Sequence, residues 1–306
     1  MAEPVRLLST TVVGRAGNGP HVLITAGVHG DELEPMAAVR RLSDLIVPDR
    51  LRGRVTLIPV VNESAYARNA RTGDDGLDLA RTCPGDPAGT ITQRVAAALT
   101  DCIRQADYYI DLHTGGVLFR LFPLSGYMLH EDRQVLATQR RMAHAFGLPV
   151  IWGTSAGLEG RSLSAARDAG VPAIYCEFGG GGTFESHVVD AYANGCLRVL
   201  GELGLFGPKP PPLEAKIIED DRDRSGVLQV QHPAPASGFF VPAVELGQDV
   251  AHGQTIGRIV DPLGAVLTEV PANEAGVVVM LRAWRHVNAG DALAALASGE
   301  RMRGTP

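Results

Sequence analysis

The chain has 306 residues, of which 45% are hydrophobic and 20% charged, with a net charge of −6. That balance excludes disordered and fibrous classes and leaves room for two domains of a soluble globular protein. An acidic chain with no long basic run is a poor partner for nucleic acid or an anionic membrane, and no stretch approaches the ~18 apolar residues of a membrane span.

In chain order, the apolar run at 21–28 predicts a strand, after which His29-Gly30-Asp31-Glu32 opens a helix. Within that helix Leu33, Met36, Ala37, Val39, Leu42, Leu45 and Ile46 recur near helical spacing. A second strand is expected over 54–61, ending at Asn62, and 63–90 reads as a long functional loop rich in Gly, Asp, Arg and Pro. Gln93 to Ile103 predicts a helix with Thr90 or Thr92 as its cap. A strand at 107–112 runs straight into His113. Then follow a helix from about Glu131 to Phe146, a strand at 148–152, a helix at 162–169 and a strand at 171–176 ending at Glu177. After it, Gly179 to Gly182 turn into a helix reaching about Leu203. Short apolar strands alternating with helices imply an α/β fold with a mainly parallel sheet covered on both faces.

The stiff segment 206–212, with four prolines, is the expected boundary between a domain at 1–208 and a small β-rich domain at 215–306. The latter carries a weak internal repeat. Pro235 to Val241 resembles Asn273 to Val279, and each is followed by a valine-glycine turn, Val250 to Gly253 and Val287 to Gly290. Duplicated short strands of this kind resemble the biotinyl/lipoyl barrel-sandwich fold. That fold carries its group on a lysine, but the chain's only lysines are Lys209 and Lys216, so a swinging-arm carrier is excluded. The small domain is expected to be a lid or the contact of a homo-oligomer.

In open parallel sheets ligands bind outside the carboxyl ends of the strands. Four expected strand ends here carry His29, Asn62, His113 and Glu177. His29 and Glu32, three apart across a strand-to-helix junction, can point at one centre. With His113 they supply the two imidazoles and one carboxylate of a zinc hydrolase, leaving an open position where a water's pKa falls to ~7. Glu177 is the unassigned carboxylate on the same edge and is read as the general base. Each residue alone has a simpler place, as chance spacing, a core histidine or a capping carboxylate; their joint position carries the argument.

The motifs Gly27-Val-His-Gly-Asp-Glu32, Asp78-Leu-Ala-Arg-Thr-Cys-Pro-Gly85, Ile110-Asp-Leu-His-Thr-Gly115 and Ile174-Tyr-Cys-Glu-Phe-Gly179 occur in that order. The chain therefore resembles the succinylglutamate desuccinylase/aspartoacylase family, relatives of the zinc carboxypeptidases, over roughly residues 20–300. Its Gly-Asp-Pro and Gly179–Gly182 features are similar to the bacterial N-acetyl-diaminobutyrate deacetylase branch. The resemblance implies one zinc per chain on His29, Glu32 and His113, with Glu177 activating water. It also implies that Arg71 polarises the scissile carbonyl, with Arg68 as the alternative, and that Arg81 and Arg161 bind substrate. Asn62 is grouped with the substrate-binding residues. Where the family has Asp-Leu-Asn-Arg, this chain has Ala80, which removes an amide donor beside Arg81.

The expected activity is cleavage of a small N-acylated amino acid, the substrate being the only partner implied beyond self-association. A peptide-trimming carboxypeptidase and a non-catalytic metal-binding protein are the alternatives. The four cysteines, Cys83, Cys102, Cys176 and Cys196, show no CxxC pairing, and no secretory leader is visible, so reduced thiols in a cytoplasmic setting are expected.

Overall fold

The structure, a computed structural model, describes residues 5–15 and 17–302. The first two-thirds comprise β1 (Thr10–Val13), β2 (His21–Thr25), α1 (Leu33–Leu45), β3 (Arg54–Ile58), α2 (Glu63–Ala67), α3 (Ile91–Arg104) and β4 (Tyr108–His113). Next come β5 (Phe119–Met128), α4 (Arg133–Phe146), β6 (Val150–Thr154), α5 (Ser162–Asp168), β7 (Ala173–Gly180) and α6 (Ser186–Glu202). The remainder is β8 (Lys216–Glu219), β9 (Gly238–Pro242), β10 (Asp249–Val250), β11 (Thr255–Val260), β12 (Val266–Pro271), β13 (Gly276–Arg282), β14 (His286–Val287), β15 (Ala294–Ala297) and β16 (Glu300–Met302).

Helix boundaries follow local chemistry. Thr90 caps α3 in a reciprocal box with Gln93, whose side chain accepts from the Thr90 backbone at 2.9 Å. Asp132 caps α4 by accepting from Gln134 N at 2.7 Å, and Gly147, at φ +90°, ends it in the left-handed conformation. The apolar faces then cover the sheet on both sides. Met36, Val39 and Leu42 of α1 join Met142 and Phe146 of α4 and Val188, Tyr192 and Val199 of α6 in one cluster. Val95, Leu99 and Ile103 of α3 join Leu163 and Ala166 of α5 in the other.

The main sheet runs β1-β3-β2-β4-β7-β5-β6-β8-β16. Five of its pairings are parallel (β2–β3, β2–β4, β4–β7, β5–β6, β6–β8), whereas β1–β3, β5–β7 and β8–β16 are antiparallel. The fold is thus the expected α/β arrangement with a mainly parallel mixed sheet. A second, antiparallel sheet of order β12-β11-β9-β14 stands beside it. The repeat seen in the sequence has a structural counterpart. Val250 of β10 pairs with Gly276 of β13, and Val287 of β14 pairs with Gly238 of β9, so each repeat's short strand is added to the other repeat's long one. Strand β13 also pairs with β5, and β8 with β6, so segments from beyond residue 212 complete the main sheet.

Three local expectations are corrected. Strands β2 and β3 end at Thr25 and Ile58 rather than at 28 and 61. The cause is Gly27, whose φ of +67° turns the chain where an added Cβ would stand 2.8 Å from Val60 Cα. The two segments stay joined, with Val61 N donating to Ala26 O and Asn62 N to Gly27 O. Glu177 lies inside β7, because that strand continues to Gly180 against β5. Strand β5 itself and the short helix α2 were not expected. Pro123 argues against a strand, but a register shift between Leu121 and Leu124 takes it out of the ladder.

Candidate active site

Gly30 holds the His29 turn in place. A Cβ there would meet Ala65 O at 2.0 Å, so the turn packs directly on α2. Glu32 stands at the N-cap of α1, yet its carboxylate caps nothing and turns inward. His29 Nδ1 lies 2.7 Å from Glu32 Oε1, and His113 Nδ1 3.1 Å from Oε2. The imidazoles' other nitrogens each face a carboxylate, His29 Nε2 at 3.1 Å from Asp78 and His113 Nε2 at 3.2 Å from Asp111. Carboxylates behind imidazoles fix the ring orientation and direct the remaining nitrogen, as they do around metals.

His29, Glu32 and His113 are all buried and can place one ligand atom each within 4.8 Å of the others. Their electrostatics suit a cation. Although burial alone would raise it, the two histidines hold the Glu32 carboxyl far below the usual carboxylate range. Burial would lower His113, but Asp111 and Glu32 push it well above the ordinary imidazole value. Burial is likewise outweighed at His29, chiefly by Glu32. The cluster thus draws positive charge to the place where three ligand atoms meet, and the donor set fits zinc.

Glu177 is the register partner of His113 on the adjacent strand. Burial, only partly offset by His113, pushes its carboxyl up to about 7, and its Oε2 has no hydrogen-bond partner among the described residues. Cys176 beside it is fully buried, and burial lifts its thiol well above the ordinary value, in keeping with packing.

The arginines differ in their ties. Arg71 donates from Nε to Asp78 Oδ2 at 3.0 Å, and its NH1 is 3.5 Å from His29 Nδ1. With its amide oxygen turned toward Arg71, Gln229 accepts from NH1 at 2.8 Å. Arg68 is exposed, faces Asp74 at 3.3 Å and is not among the residues lining the cleft. The Arg81 side chain donates to Ala80 O at 2.7 Å, and that of Arg161 to Gly226 O at 3.3 Å from both of its terminal nitrogens. Neither has a carboxylate partner among the described residues. Gly160, at φ +79°, sits so close to the Arg81 backbone (2.6 Å from an added Cβ to Arg81 O) that it brings Arg161 beside Arg81. Burial, then the Arg81 charge, brings Arg161 down to about 10.

His29, Glu32, His113, Glu177, Arg71, Arg81 and Arg161 line one cleft, together with Gly226, Leu228 and Gln229 after the proline-rich segment and Met280 of β13. Asn62 is not among the lining residues. It is fully buried at the N-cap of α2, where its side chain accepts from Ala65 N at 3.2 Å. Sequence reasoning gave no part to Asp78, Asp111 or Gln229. Asp111 had a local signal, since a residue two before His113 on a strand shares its face. Gln229 had none.

Residues 18–203 match the family described as the succinylglutamate desuccinylase/aspartoacylase catalytic domain. The chain belongs to this family. It is 32% identical over 297 residues to the N-alpha-acetyl-L-2,4-diaminobutyric acid deacetylase of Halomonas elongata, a match covering 95% of this chain and 85% of the relative. Among solved structures it is similar to a succinylglutamate desuccinylase/aspartoacylase from Rhodobacter sphaeroides, with a TM-score of 0.84, 29% identity and coverage of 97% and 90%. It is also similar to the product-bound ectoine utilization protein EutE of Ruegeria pomeroyi, with a TM-score of 0.82, 25% identity and coverage of 94% and 87%. The family and the curated relative support a deacylase acting on amides. No helix among the described residues is long and apolar enough to cross a membrane.

Proposed function

We propose that the protein is a zinc-dependent amidohydrolase that removes the acyl group from a small N-acylated amino acid or related compound. The observation that carries this reading is the buried His29–Glu32–His113 cluster with Glu177, its Oε2 unpartnered, in register beside it.

His29, Glu32 and His113 would hold the ion. Zinc, when bound, supplies Lewis acidity that makes water a stronger acid near neutral pH. Glu177 takes the proton of the attacking water and returns it to the leaving amine. Arg71, at the rim of the cluster, donates to the scissile carbonyl oxygen as negative charge develops there. Arg81 and Arg161, which lack carboxylates of their own, hold the substrate's carboxylate in their forked donors. The segment 226–229 and Met280 wall the cleft and favour a small substrate over a long peptide.

The test is metal content with a panel of N-acetyl and N-succinyl amino acids. The expected result is one zinc per chain and hydrolysis that chelator abolishes and zinc restores. Peptide trimming without action on N-acyl amino acids would replace the proposal with a carboxypeptidase. Bound zinc without any hydrolysis would leave a metal-binding protein.

A further inference from the structure

We infer that the amino acid released by this site has an uncharged, apolar side chain, the substrate being an N-acyl derivative of a methionine- or leucine-like residue. The inference rests on the deacylase reading above and specifies the amine half of the substrate.

The carboxylates lining the cleft are Glu32, Asp111 and Glu177. None is left for a substrate ammonium. Glu32 lies between the two imidazoles. Asp111 accepts from Thr25 at 2.8 Å and from Ser162, and backs His113. Glu177 must stay open to the water. Asp78, just behind, is taken up by His29, Arg71 and the Ala80 backbone N–H. A cationic side chain would therefore be desolvated without a partner, beside two arginines that already lack one.

A second carboxylate fares little better. Arg81 and Arg161 stand side by side and form one anion site, which the α-carboxylate fills. Ala80 offers no further donor next to it. The rest of the wall is mixed: Thr114, Thr154, Ser162 and Gln229 bring polar groups, while its apolar part comes from Phe119, Leu121 and Met280 of one hydrophobic cluster, Met128 and Leu163 of another, and Leu228 packed at the edge. Tyr175 bridges the two clusters. Its ring lies across Gly126, its register partner on β5, where an added Cβ would stand 2.3 Å from the ring. Gly126 has no positive φ to explain it, so the glycine makes room for a large ring on the cleft wall.

The experiment compares kcat/KM of the zinc-loaded full chain for N-acetyl-L-methionine, N-acetyl-L-leucine, Nα-acetyl-L-2,4-diaminobutyrate and N-acetyl-L-aspartate. The first two should exceed the last two by at least about 100-fold. Calorimetric binding of free L-methionine and L-2,4-diaminobutyrate should rank in the same order, a readout independent of turnover. Leu228→Glu, at the edge of the wall, should narrow the gap for the diamino substrate by about 10-fold. Equal rates, or a preference for the diamino or acidic substrate, would overturn the inference and leave the deacylase reading standing. Failure of zinc-loaded enzyme to cleave any of the four or their N-succinyl counterparts would overturn both.

Discussion

His113 and Glu177 are register partners on the adjacent parallel strands β4 and β7, which places the metal-ligand candidate and the base candidate side by side. Because strand register sets their spacing, a change of charge at Glu177 need not disturb the histidine. Glu177→Gln keeps the shape and removes the proton acceptor. Zinc content should stay at one per chain while kcat falls by roughly 10²–10⁴. Near-normal turnover in this variant would take Glu177 out of the mechanism.

Removing either imidazole should be more drastic. His29→Ala and His113→Ala each leave a pair of donors too few for a closed site, and purified protein should contain no zinc after dialysis. Asp111→Asn tests the layer behind. Asp111 lies 3.2 Å from His113 Nε2, and replacing it with an amide should weaken zinc affinity by about 10–100-fold in a chelator competition. Unchanged affinity would show that Asp111 serves only Thr25 and Ser162.

Ala80 follows Asp78 and Leu79 in the turn that ends at Arg81, and its own N–H donates to Asp78 at 2.9 Å. An asparagine there would place an amide beside Arg81. A hydrogen bond to a charged group is worth ~1.5–3 kcal/mol, so Ala80→Asn should improve cleavage of N-acetyl-aspartate by about 10–100-fold relative to N-acetyl-methionine. Efficient cleavage of N-acetyl-aspartate by the unaltered protein would show that this position carries no specificity.

Truncation after residue 208 should abolish folding or selectivity. It removes β13 from β5 and β8 from β6, exposing Leu121, Leu124 and Trp152, which are 4%, 0% and 1% exposed in the whole chain. It also removes Gln229 from Arg71 and Gly226 from Arg161. A soluble, equally selective 1–208 fragment, assayed on the same substrate panel, would show that the C-terminal strands have no part in the cleft.

The sequence alone carried whatever depends on a residue and its near neighbours. Alternating apolar strands and helices indicated a sheet covered on both faces. Thr90 or Thr92 marked a helix start, and His29, Glu32, His113 and Glu177 were picked out by their expected places at strand ends, although Glu177 lies inside β7. Only the tertiary structure decided what depends on distant segments meeting. Strand β5 is held between β7, β6 and β13, and its Pro123 looked like a breaker because the irregular register that accommodates it is set by partners far away in the chain. Arg71 was separated from Arg68 by Asp78 and Gln229, which its guanidinium reaches across loops. Asn62, expected at the site, serves instead as the buried cap of α2. Local sequence fixes propensity and side-chain chemistry over a few residues. The orientation of those side chains toward one cleft depends on hydrogen bonds and packing that exist only once the sheet has assembled.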